Sequence, residues 1–258
     1  MTTIPEWTDF AERLHKTGCD LLDTAGKMPR PSKQIITALT LLVRTLSNHR
    51  VAILLLQEKH IVEARTITRC CYENSYWLGR LVDEGEAFVR EMMDDDVSHR
   101  KNRGEFIFER GLPLEADISA RLRAWLKDTN KQLPKTRTLN PKAIADKSAT
   151  IGKTYLVYGQ LSSDAAHPSI TSLNRYLVTN ANREVIEINA EPTVSPKEIV
   201  ETFEFLCIAT SFVCVAVNQM LGGTHGGFTS TMADEFNALS NRTAATSNKT
   251  SEGDPPAT

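Results

Sequence analysis

The chain reads as mainly α: a helical bundle with one β-hairpin and a disordered C-terminal tail. Three observations predict this. Apolar residues recur at helical spacing through 32–57 and again through 61–83. Ser195-Pro196-Lys197-Glu198 is a capping box with proline at the first helical position, and the helix it opens holds a charge-free run over 205–217. Only 172–189 is rich in β-branched and aromatic residues broken by a turn-like insert, Asn180 to Arg183.

Taken in order, residues 4–25 form a first helix with Phe10, Leu14, Leu21 and Leu22 on or near one side. The segment KMPRPS at 27–32 breaks it, and Ser32 caps a second helix reaching Gln57. Its Ile35, Ile36, Leu39, Leu42, Val43 and Leu46 share helical spacing, and the run 51–56 is apolar on every side, so that end should be buried. The short connection 57–60 favours an antiparallel neighbour. In that next helix, Ile67, Cys71, Leu78, Leu81 and Val82 fall on one face. Arg65, Arg69, Glu73, Tyr76 and Arg80 fall in the opposite sector.

An acidic stretch follows at 83–96, within a helix expected over 84–110. Its Asp94-Asp95-Asp96 run spreads too widely around a helix to face one metal ion, so a solvated face is the reading; Asp95 and His99 stand one turn apart. Leu112-Pro113 ends the segment, and 114–133 is a further helix with Ile118, Leu122, Trp125 and Leu126 inward. The stretch 119–153 is basic and resembles a phosphate-facing patch, but it has little aromatic interleaving for base stacking, so the preferred reading is a counterweight to the acidic face. Asn140-Pro141 starts a short helix, and 153–166 is helical up to a polar turn, Ser162 to Ser169 (SSDAAHPS). The hairpin at 172–189 should lie on helices or pair with another copy, since two strands alone are marginal in water. After the helix at 196–221, Gly222-Gly223 stops the chain's regular structure, leaving at most a short helix near 233–239.

With 258 residues, 41% hydrophobic and 24% charged, a normal core is available. No linker divides the first 220 residues, so the expectation is one helical domain over 1–223 and a flexible tail over 224–258. A net charge of −2 gives no pull toward nucleic acid or anionic membrane. The first residues lack the pattern of a secretory signal, and the uncharged 205–217 run is too short to span a bilayer. Cys19, Cys70, Cys71, Cys207 and Cys214 show no CxxC spacing and read as reduced core thiols of a cytoplasmic protein. No phosphate-binding glycine loop and no zinc spacing occur, so no cofactor and no metal are expected.

The candidate centre is Arg65, Arg69 and Glu73, at steps of four on one helix, facing Ser162 and His167 of the downstream turn. Arg69 and Glu73 form either an ordinary surface ion pair or, given Tyr72, Tyr76 and Trp77 around them, a partly buried one. The combination of Glu63-Ala64 through Arg69 and Glu73 with Leu161-Ser162-Ser163-Asp164-Ala165-Ala166-His167-Pro168-Ser169 resembles a family of uncharacterised bacterial helical proteins, over roughly residues 32–220. The second motif carries one residue more than the family's spacing or is shifted against it. The resemblance implies an α-helical fold with a shared polar centre, and it brings no activity with it. Structural closure of a turn and binding of a small anionic ligand by an arginine fork both suit these residues. A homo-oligomer is the other partner expected. The alternative is a metal-independent ribonuclease of the HEPN kind, whose Arg-x4-6-His spacing is met by Arg44 and His49. There the imidazole would handle protons and the guanidinium would stabilise the phosphorane charge. His167 has no arginine at the qualifying offsets, which weakens that alternative.

Overall fold

The computed structural model describes residues 4–134, 138–148, 151–166, 168–223 and 226–251. Helix α1, Ile4–Ala25, turns Trp7, Phe10, Ala11, Leu14 and Leu21 inward. Helix α2, Lys33–Gln57, starts where the Ser32 hydroxyl accepts a hydrogen bond from the Ile35 amide at 3.2 Å. Helix α3, Ile61–Glu84, returns beside it after a three-residue connection. Helix α9, Pro196–Met220, has both halves of its capping box made. It packs on α1, α2 and α3 and supplies Phe203, Leu206, Cys207, Val213, Cys214 and Val217 to the core. That four-helix packing fits the spacing of the apolar residues.

The remaining elements are arranged around this body. Gly85, with φ of +59°, turns α3 into α4, Glu86–Glu109, and Gly104 lets α5, Ala116–Gln132, approach through Leu122 and Leu126. Short helix α6, Pro141–Ala145, is capped by Asn140. A 3₁₀ turn at Gly152–Thr154 leads into α7, Tyr155–Leu161, and the chain then widens into a π-helical turn, Ser162–Ala166. Helix α8, Ile170–Asn174, precedes strands β1, Leu177–Thr179, and β2, Val185–Ile188. These pair antiparallel with Leu177 opposite Ile188, Val178 opposite Glu187 and Thr179 opposite Val185, with an irregularity between the last two.

Four expectations change. Val51 and Leu54 are 42% and 54% exposed, so the 51–56 run is buried on one side only, through Ala52, Ile53 and Leu56. The expected helix over 153–166 is present, but its Ser162 to Ala166 end is π-helical rather than a plain polar turn. The hairpin is shorter than 172–189, because Ser172 belongs to α8, and all four residues of β2 are exposed rather than laid on helices. The segment from 224, read as flexible, contains α10, Gly226–Ser251, whose Met232, Phe236 and Leu239 pack on the core. Its side chains are described from Ser230 to Thr243.

Candidate functional site

One face of α3 carries Arg65, Arg69 and Glu73 on successive turns toward the π-helical turn and the start of α9. A π-helical turn bonds i to i+5, one residue wider than the α-helical i to i+4, and is frequently found at functional sites. Here it delivers Ser162 and Asp164 to the two arginines.

Arg65 is the inner group, with a side chain 6% exposed. Its Nη1 donates to Asp164, its Nη2 to Glu201 at 2.7 Å, and its Nε to the Thr202 hydroxyl at 3.1 Å. Glu198 stands 3.8 Å away. Arg175, beyond α8, closes the ring: its Nη2 donates to Asp164 at 3.1 Å and faces Glu198 at 3.0 Å. Two guanidiniums thus meet three carboxylates. Burial raises the Asp164 carboxyl, but Arg65 and Arg175 outweigh it and hold the group below the usual carboxylate range. Burial works to lower Arg175, and Asp164 and Glu198 overcome it and raise the group.

Arg69 is the outer group. Its Nε donates to Ser162 Oγ at 2.8 Å and its Nη2 to the Tyr158 hydroxyl at 2.6 Å, with Glu73 at 3.0 Å. The guanidinium also lies over the Tyr158 ring, 4.7 Å from its centroid. Tyr158 donates in turn to Glu73 Oε1 at 2.9 Å, and burial together with Glu73 pushes its hydroxyl up to about 12. Arg69 and Glu73 keep 20% and 27% of their side-chain surface in solvent.

The structure therefore brings together Arg65, Arg69, Glu73 and Ser162. His167 lies outside the described residues. Tyr158 joins the Arg69 cluster, and Asp164, Arg175, Glu198, Glu201 and Thr202 join the Arg65 cluster; spacing on α3 points to none of these six. Asp164 lay in plain view inside the quoted motif. Glu198, the capping-box residue, caps through Oε2 and faces the arginines through Oε1. Arg80, expected in the same sector, forms a separate cluster with Glu84 and Glu91 over the Phe88 ring.

Arg44 and His49 do not form a pair. Five residues apart on α2, they project about 140° from one another. Arg44 is exposed, whereas His49 is fully buried. The His49 ring spans two neighbours, with Nε2 2.9 Å from the Ala11 carbonyl and Nδ1 2.7 Å from the Thr210 hydroxyl. A carbonyl only accepts, so Nε2 carries the proton and Nδ1 accepts from Thr210. This imidazole is a three-helix tie, and no substrate backbone reaches it.

The acidic run on α4 also disperses. Asp95 accepts a hydrogen bond from the Leu139 amide and stands 3.4 Å from His99, while Asp96 pairs with Arg100. Among the described residues, no group of three or more His, Cys, Asp or Glu side chains is placed to hold a metal ion.

A family model described as a family of unknown function, DUF5677, matches residues 36–185. No curated protein and no solved structure matches. The matched span runs from α2 to the first residue of β2, so it contains Arg65, Arg69, Glu73, Tyr158, Ser162, Asp164 and Arg175, whereas Glu198 and Glu201 are supplied from outside it. With more than half of its length matched, the chain belongs to this DUF5677 family of unknown function.

Proposed function

We propose that this chain is a cytoplasmic helical binding scaffold whose polar centre is a structural lock rather than a reactive site. One observation carries the reading: each guanidinium of the centre meets at least one carboxylate from within the chain. Arg65 has Asp164, Glu201 and Thr202; Arg175 has Asp164 and Glu198; Arg69 has Glu73, Tyr158 and Ser162. Such contacts fix α7, the π-helical turn and Arg175 on α3 and α9. Their value is geometric, because desolvating the charges offsets much of the attraction. The free thiols of all five cysteines support the cytoplasmic location. Helices α2 and α9 are long and apolar enough to cross a membrane by length and composition alone, and in the structure both contribute to the bundle core.

The test is a double-mutant cycle on Arg65→Met and Asp164→Asn, read by urea unfolding. Each single change should cost about 3–5 kcal/mol, and the pair much less than their sum. Additive losses below about 1 kcal/mol would defeat the lock.

A second reading, a small anionic ligand at the outer rim, draws on the partial exposure of Arg69 beside the Ser162 hydroxyl. Phosphate and acetate titrations distinguish the two: a melting-temperature rise that disappears in Arg69→Met would favour the ligand. Homo-oligomerisation belongs to the scaffold reading, supported by the exposed Ile36, Val43 and Leu54 on α2 and Val185, Ile186 and Ile188 on β2. The HEPN-like ribonuclease reading gains nothing from Arg44 and His49, for the geometric reasons above.

A further inference from the structure

Helix α10 crosses the bundle over α1 and α9, and its described side chains leave a space beneath it. The helix is fastened by polar and aromatic contacts. Arg13 forks onto Glu235, with Nη1 2.8 Å from Oε2, and Ser240 donates to Glu204. The Trp7 indole donates to Thr243 at 3.3 Å, and Phe236 lies edge-on to Trp7 with centroids 5.7 Å apart. These fastenings fix the height of α10. Beneath it, a cavity of about 280 Å³ is lined chiefly by Leu14, Ile208, Phe212, Val215, Met232 and Phe236. Small Ala233 sits in its α10 wall, and Val215 is 48% exposed, so the space communicates with solvent.

The chemistry of the lining selects the occupant. Among the described residues that line it, none is charged. The Thr17 hydroxyl is engaged by the Arg13 carbonyl of its own helix at 2.9 Å. Half-buried Ser211 and exposed Asn237 are the other polar groups. A water molecule needs two to four polar partners to stay in such a place, whereas an apolar cavity of roughly 150 Å³ in a protein core stays dry and takes a benzene-sized guest. This one has about twice that volume. We propose that it is a binding site for a small neutral hydrocarbon-rich molecule, a medium-length alkyl chain or a fused aromatic ring bearing at most a hydroxyl-sized polar end. A carboxylate drawn in under α10, out of reach of solvent, would meet no charged side chain among the described lining residues, and its desolvation would go uncompensated.

The inference is independent of the polar centre, so either proposal stands if the other fails. Isothermal titration of the full chain with octan-1-ol, octanoate and naphthalen-1-ol tests it. Octan-1-ol and naphthalen-1-ol should bind saturably at one site, with octanoate at least tenfold weaker. Ala233→Leu and Ser211→Leu, each placing a larger side chain in the cavity wall, should weaken octan-1-ol at least tenfold while circular dichroism and melting temperature show a folded protein. If one variant fails to fold, the other decides. Absence of saturable octan-1-ol binding overturns the proposal, and so does octanoate binding as tight as octan-1-ol. Equal affinity in a folded filled variant does the same. A filled variant that is merely more stable, with no binding by the unsubstituted chain, would show a packing defect and also overturn it.

Discussion

The His49 imidazole couples three helices to pH. Burial, chiefly, lowers it from an ordinary 6.5 to about 4; the Ala11 carbonyl opposes that shift and His15 adds to it. The unfolded chain therefore binds a proton that the folded chain refuses between about pH 6.5 and pH 4. Stability is fully present above 6.5 and falls as pH drops through that window, by roughly 3 kcal/mol in all. His15, lowered by burial and then by Arg50, acts in the same direction. Denaturant titrations at pH 7 and pH 4.5 should show this loss, and His49→Gln should remove most of it. An unchanged pH dependence in that variant would place the effect elsewhere. Glu73→Ala should cost only about 1–2 kcal/mol by the same measurement, since Glu73 keeps contact with water while Arg65 does not. Spacing on α3 suffices to find Arg65, Arg69 and Glu73. It does not grade their burial, because that depends on α9, whose Glu198 and Glu201 lie far along the chain.

At the level of elements, caps and spacing leave readable marks, and partners do not. Ser32, Asn140 and Ser195 each accept from a backbone amide of their own first turn, a relation confined to a few residues and therefore visible locally. Ser195→Ala should lower stability by about 1 kcal/mol on thermal or urea unfolding; no loss would mean that Pro196 alone sets the helix start. The π-helical turn left no local mark, because its widening is tied to the reach of Ser162 and Asp164 toward α3. Val51 and Leu54 illustrate the same limit: composition shows that a residue is apolar, and only the placement of neighbouring helices shows that no neighbour covers it. Where two helices nearly touch, glycine has a reason that local spacing does not show. A Cβ on Gly18 would stand 2.4 Å from Leu46 Cδ2, and Gly18→Ala should destabilise by about 1–3 kcal/mol through forced movement of Leu46, as seen by urea unfolding. A neutral result would mean that Leu46 finds another rotamer.

Across the whole molecule, the largest departure from the sequence expectation is α10. Ser, Thr, Asn and Gly dominate its composition, so its average character resembles a solvated tail. Met232, Phe236 and Leu239 nevertheless recur at intervals of four and three, which puts them on one face of a helix. That face meets Trp7 and Phe10, buried near the opposite end of the chain, and the Arg13–Glu235 fork ties the two ends together. Removing residues 224–258 would uncover these rings, leave Arg13 with the exposed Asp9 and the Phe10 ring, and open the cavity beneath α10. Burial of three large apolar side chains is worth several kcal/mol, and for a chain of this size each kcal/mol moves the melting temperature by about 2–4 °C. A drop on the order of ten degrees is therefore expected, whereas cutting only 244–258, beyond the last described contact at Thr243, should change it by about a degree or two. Differential scanning calorimetry of the two truncations separates the cases: equal small shifts would mean that α10 rests on the bundle without stabilising it.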